Sequence, residues 1–149
     1  MGEGATETVF CGVNPILRVR DLAASLAYYM EKLGFRAMWQ TPYMACVARG
    51  KAHLFLVPGD QGHLGGWVWI GVEGDVEQIE REYLTSGAMI RQRLTNFEWA
   101  LEMQVSDPDG NVLRIGGEPR EGEPYGPWLD MDGVLWHATG DGGWTKAAS

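Results

Sequence analysis

NPILRVRDLAASLAYYMEKLGF (14–35) and WVWIGVEGDVEQIEREYLTSG (67–87) read alike: a strand pattern, a capping aspartate, an amphipathic helix and a closing glycine. The first runs on to a strand pair ending at HLFLV (53–57), the second to a strand pair meeting at DPDGN (107–111). One order of elements therefore repeats at an offset of 53 residues. In the first half Val13, Pro15, Leu17 and Val19 alternate with Asn14, Ile16 and Arg18, the period of a strand. Asp21 then caps a helix with an apolar face of Leu22, Leu26, Tyr29 and Leu33, and Gly34 falls where a left-handed residue ends it. Segments 35–40, 43–49 and 52–57 predict a three-strand meander with turns at Thr41-Pro42 and Arg49-Gly50-Lys51.

In the second half Asp75 and Gln78 form a capping box for a helix whose core face is Val76, Ile79, Tyr83 and Leu84, followed by strands near 88–94, 98–106 and 111–116. Asp107-Pro108-Asp109-Gly110 is a type I turn sequence, with proline setting φ at its second position and glycine supplying the positive φ. One helix and about four short strands cannot bury both faces of their own sheet, so the two halves are predicted to form one fold, with a site between their sheets. The expected organisation is an N-terminal extension (1–12), a first module (13–57), a glycine-rich linker (58–66), a second module (67–116) and a C-terminal extension (117–149). That last segment turns to Gly, Pro and acid, yet Trp128, Leu129, Met131, Leu135, Trp136 and Trp144 are too apolar for a solvated tail. It is expected to dock on the body or on a partner subunit.

A chain of 149 residues with 45% hydrophobic content fits one globular domain. No apolar run approaches the ~20 residues of a membrane span, and MGEGATETVF lacks the basic and apolar regions of a leader, so a cytoplasmic location is expected. Cys11 and Cys46 have no metal-ligand spacing and read as reduced thiols or core filler. A net charge of −8 argues against nucleic acid and favours a neutral or cationic ligand.

LRVRDLAASLAYYMEKLGF (17–35), GKAHLFLV (50–57), WVWIGVEGD (67–75) and MQVSDPDGNVLRI (103–115), in that order, resemble the vicinal-oxygen-chelate superfamily of glyoxalase I, fosfomycin-resistance proteins, extradiol dioxygenases and bleomycin-resistance proteins. The resemblance covers about 14–116. It implies an α+β fold of two paired βαβββ modules whose strands curl into an open sheet with a central cleft, usually completed in a homodimer. The metal-dependent members place ligands at four strand positions, which fall here on Asn14, Phe55, Trp67 and Arg114. Phe and Trp offer no donor, Asn a weak neutral oxygen, and Arg a permanent positive charge that repels a divalent ion. No metal and no cofactor are therefore expected. GGWVWIGVEGD (65–75), with Glu102, Val105 and Asp107 to Asn111, is similar to the metal-free, bleomycin-resistance-like subgroup, which sequesters its ligand unchanged.

Trp67 and Trp69 stand two apart on a strand and share a face, so they are either a packing pair or a stacking wall for a heteroaromatic or cationic ligand; the implied register favours the wall. Glu102 and Gln104 share a face by parity, and Arg114 lies across the DPDG turn from them. Glu102 and Arg114 can form an internal ion pair in place of the metal, orient a ligand's polar group, or both. Asn14 either caps backbone beside Pro15 or meets ligand, and His53 shares a face with Phe55 but has no nucleophile or acid beside it in sequence. Met38, Trp39, Tyr43 and Trp99 would wall the cleft, seven tryptophans in 149 residues being many for packing alone. His63 and His137 read as surface residues, and Asp130-Met131-Asp132-Gly133 as a turn.

Three functions compete. The first is a metal-free homodimer that captures a small aromatic or cationic compound, such as an antibiotic, with no nucleic acid or membrane involved. The second is a superfamily enzyme (a lyase, thiol transferase or dioxygenase) with a displaced metal site. The third is a domain whose aromatic surface serves only assembly.

Overall fold

The computed structural model describes residues 6–147; residues 1–5 of the expected N-terminal extension and 148–149 of the C-terminal one lie outside that range. The first half folds as β1 (Ile16–Arg18), α1 (Leu22–Glu31), β2 (Arg36–Gln40), β3 (Ala45–Arg49) and β4 (Ala52–Val57), in a sheet of order β1-β4-β3-β2. The second repeats it with β5 (Trp67–Gly71), α2 (Val76–Ser86), β6 (Met89–Asn96), β7 (Leu101–Ser106) and β8 (Val112–Gly117), in the order β5-β8-β7-β6. In each sheet the strand before the helix runs parallel to the last strand, and the other pairs are antiparallel. The fold is α+β, two βαβββ modules. A third sheet of β9 (Trp128–Leu129), β10 (Leu135–Ala138) and β11 (Trp144–Lys146) follows, in the order β11-β10-β9.

The caps form where the local chemistry asks for them. Asp21 accepts from Ala24 N at 3.1 Å, and Gly34, at φ +75°, turns the chain so that Phe35 N reaches Tyr29 O at 2.9 Å. The capping box of α2 is one-sided: the Asp75 carboxylate accepts from Glu77 N (3.0 Å) and Arg81 (3.3 Å), and Gln78 contributes its backbone amide to Asp75 O. β1 is shorter than the period-two stretch suggested. Pro15 has no N–H to donate, and although its carbonyl accepts from Phe55 N (2.9 Å), Val13 lies exposed. Leu84, expected on the core face of α2, is 49% exposed, since Val76 and Tyr83 already orient the helix.

Both modules share one core. Leu17, Leu54 and Leu56 from the first sheet and Met103, Val105 and Leu113 from the second pack around Leu26, Tyr29, Leu33 and Tyr83. Hydroxyls tie the halves at the helix ends: Tyr83 donates to Leu33 O (2.8 Å), Ser86 to Lys32 O (2.6 Å), and Tyr28 to Ser106 O (2.6 Å) while accepting from Met89 N (2.8 Å). The densest tie is the turn after β7. The buried Asp107 carboxylate accepts from Asp109 N (2.8 Å), Asn111 N (2.9 Å), Asn111 Nδ2 (2.9 Å) and Tyr29 Oη (2.9 Å). Burial pushes its carboxyl above the usual range against the pull of these bonds.

Burial also pushes Tyr29 well above an ordinary phenol and Tyr83 up to about 12. The fold therefore holds these phenols neutral, and their stabilisation is complete below the unfolded value of about 10 and lost as pH rises through the folded one. Equilibrium urea unfolding between pH 8 and 12 is expected to lose on the order of 2–3 kcal/mol from Tyr83 alone, a shift of about two units at 1.36 kcal/mol each. Tyr83→Phe should flatten that limb. A profile that stays level above pH 10 in the native chain would contradict this account.

Candidate functional site

Alternation sets the outer faces of the sheets. Because Met103, Val105, Leu113 and Ile115 point into the core, Glu102, Gln104 and Arg114 point outward from the second sheet, with Trp67 and Trp69 beside them on β5. Glu102 is nevertheless only 1% exposed. Its Oε2 accepts from Arg114 Nε at 2.8 Å, and its Oε1 from Arg114 Nη2 at 3.0 Å and from the Trp99 indole nitrogen. The expected ion pair exists as a bidentate fork. Trp69 is 52% exposed and lies over two glycines, since a Cβ added at Gly71 or Gly116 would come within 2.9 Å or 3.2 Å of its ring. Glycine at these positions makes the shelf that lets the indole lie flat.

This face is covered by the chain's own C-terminal segment, held by side-chain amides that imitate backbone. Gln92 donates to Pro127 O (2.7 Å) and accepts from Leu129 N (3.2 Å); Asn96 accepts from Arg120 N (2.7 Å) and donates to Arg120 O (2.9 Å); Gln104 donates to Leu129 O (2.8 Å). Arg91 adds hydrogen bonds to Gln104 Oε1 and Asp130 O, with its guanidinium 5.3 Å from the Trp67 ring centre. Regular alternation would send Arg91 and Gln92 to opposite faces. An irregularity in the β6–β7 register at Ile90/Gln92 lets both reach the segment.

Between this face and the segment lies an open cavity of about 460 Å³ lined by Trp99, Arg114, Trp128, Asp130, Trp136 and Trp144. Trp128 is the hinge of the aromatic set. Its ring lies 6.1 Å from Trp67, 6.3 Å from Trp99 and 4.7 Å from the Arg114 guanidinium carbon, while Trp99 stacks on Phe97 at 4.8 Å with planes 4° apart. Asp130 is held below the usual carboxylate range, first by the Trp136 indole N–H (2.8 Å), then by the Val134 amide (2.8 Å), with the Asp132 amide and Arg91 adding to it. Trp67 backs Trp128 and does not line the cavity.

The remaining candidates sit elsewhere. Trp39 and Phe55 pack at 5.6 Å on the outer face of the first sheet, with His53 on the same face, its Nδ1 4.0 Å from Cys46 Sγ. Burial pushes the Cys46 thiol up, away from thiolate. Met38 is exposed at a register irregularity of β2, Asn14 is exposed before β1 begins, and Tyr43 lies 79% exposed in the β2–β3 turn. The structure thus gathers Trp67, Trp99, Glu102, Gln104 and Arg114 at one place. Met38, Trp39, His53 and Phe55 belong to another face.

A family profile, the glyoxalase/bleomycin resistance protein/dioxygenase superfamily, matches residues 11–115. The chain belongs to this superfamily. Among solved structures of the same fold, TioX from Micromonospora sp. ML1 shares 18% identity over 75% of this chain and 99% of its own, with a TM-score of 0.62. A glyoxalase/bleomycin resistance protein/dioxygenase from Alicyclobacillus acidocaldarius shares 16% over 72% and 92%, at a TM-score of 0.60, and a virulence protein from Salmonella typhimurium 18% over 74% and 99%, at 0.59. No curated protein matches the chain.

The metal of the superfamily's enzymes does not fit this donor set. Phe55 packs on Trp39, Trp67 on Trp128, and Arg114 is committed to Glu102. No group of three or more His, Cys, Asp and Glu suited to an ion occurs among the described residues. Sequence reasoning missed Arg91, Trp128, Asp130, Trp136 and Trp144 as parts of the site. The tryptophan content of 128–144 signalled docking, but neither it nor the β6 irregularity could say onto which face.

Proposed function

We propose that this protein sequesters a small aromatic compound, antibiotics among the candidates, at the outer face of its second sheet, without chemistry on a divalent metal. The observation that carries this reading is the indole-lined cavity over the Glu102–Arg114 pair. A solvated cavity walled by four indoles offers large apolar area at little conformational cost, the property of a capture site. The comparisons support the superfamily alone, and its members include proteins named for bleomycin resistance as well as for glyoxalase and dioxygenase activity.

Titration of intrinsic tryptophan fluorescence with a panel of planar aromatic compounds, bleomycin included, should show saturable quenching. Trp128→Ala should weaken the tightest binder by roughly 1–3 kcal/mol, the scale of one aromatic anchor. A panel without any quenching, or turnover that appears on adding Ni²⁺, Mn²⁺, Zn²⁺ or Fe²⁺ with one metal bound per chain, would reject the reading in favour of an enzyme or a purely structural domain.

A further inference from the structure

From the hydrogen-bond pattern of the cavity we infer that its ligand is a flat aromatic compound whose polar edge is a hydrogen-bond acceptor, a carboxylate, phenolate or carbonyl, and not an organic cation. This rests on the capture reading above and narrows it. Four indoles and a carboxylate would by themselves suggest a cage for an ammonium group. The accounting of donors and acceptors points the other way. Asp130, on the cavity wall, and Glu102 behind Arg114 each already accept three hydrogen bonds from the protein: Glu102 from two Arg114 nitrogens and the Trp99 indole, Asp130 from the Trp136 indole and the amides of Asp132 and Val134.

The groups left over are donors. Arg114 spends Nε and Nη2 on Glu102, while its Nη1 has no partner among the described residues, and neither do the indole nitrogens of Trp128 and Trp144. The half-buried guanidinium lies over the Trp128 ring with 27% of its side chain exposed, so a ring entering between the indoles can meet it edge-on. Ligand acceptors would engage these donors; a cation would offer them nothing and would lie beside Arg114. The net charge of −8 does not reverse this, because at physiological salt remote charges are screened beyond about 8 Å and the local pattern decides.

The cap that supplies Trp128, Trp136 and Trp144 lies outside the family match, which ends at residue 115. Two of the three unpartnered donors, the Trp128 and Trp144 indoles, therefore come from this cap, and the third, on Arg114, from the matched modules.

The test uses the full chain and three probes that share a naphthalene ring in isothermal titration calorimetry: 2-naphthoate, (2-naphthyl)trimethylammonium and 2-methylnaphthalene. Naphthoate is expected to bind about tenfold or more tighter than the ammonium probe, the scale of one or two charge-assisted hydrogen bonds. Trp144→Phe and Trp128→Phe, which keep a ring and remove the N–H, should each weaken naphthoate about three- to tenfold more than they weaken methylnaphthalene. Equal or tighter binding of the ammonium probe overturns the acceptor assignment while leaving aromatic capture standing. So does naphthoate binding that is indifferent to both substitutions, because the ligand then sits elsewhere. Failure of all three probes to bind counts against capture itself.

Discussion

Arg114→Ala is expected to cost about 3–5 kcal/mol of folding stability, the range for stranding one partner of a buried ion pair. Glu102 is 1% exposed, and two of its three hydrogen bonds come from Arg114. Without the guanidinium, the carboxylate keeps only the Trp99 N–H, and Trp128 loses the cation it lies against. Glu102→Gln combined with Arg114→Met should be milder than Arg114→Ala alone, since nothing charged is left behind. Urea midpoints of the native chain and the two variants decide it: a loss under about 1 kcal/mol in Arg114→Ala would mean that water reaches Glu102 and that the pair is a surface feature.

Asp107→Ala is expected to be of similar size, about 3–5 kcal/mol, although it sits in an ordinary turn sequence. The substitution removes an acceptor that takes four hydrogen bonds, three within its own turn and one from Tyr29 on the other module's helix. It leaves the Tyr29 hydroxyl buried without a partner. Next to it, Asp109 accepts from Arg20 N (3.0 Å) and Ser25 Oγ (3.4 Å), so the turn ties α1 and its cap to β7 and β8. Gly110→Ala is the control for turn shape. Its φ of +78° strains a side chain but the space around it is open, so a cost of about 1–2 kcal/mol is expected. Thermal unfolding in which Asp107→Ala loses no more than Gly110→Ala would show that the turn matters for its shape and not for its bonds across the modules.

Asp107 also shows where sequence reading stops. DPDGN announces a turn because proline presets φ and glycine tolerates positive φ, both properties of single residues. That its carboxylate would be buried against Tyr29, 78 residues away, is a property of how two modules meet. Glu102 and Gln104 illustrate the same limit. Alternation in LEMQVS (101–106) reads as a strand with one wet face, yet β7 is buried on both, because residues 118–147 fold back over the outer face. Trp69 and Trp67 were legible as sharing a face, while their separation into an exposed indole over glycines and a support behind Trp128 was not.

The repeat order, the helix caps at Asp21, Gly34 and Asp75, and the strand parity that puts Glu102 and Arg114 together all follow from local chemistry. Those features depend on residue type and short spacing, which the chain carries in plain order. Where the last segment docks depended on long-range packing: amides on β6 and β7 that replace a ladder, an irregularity that turns Arg91 and Gln92 to one side, and Trp128 settling against Arg114. Such contacts join residues far apart in the chain, and no local period encodes them; the open indole-lined cavity exists because they form together.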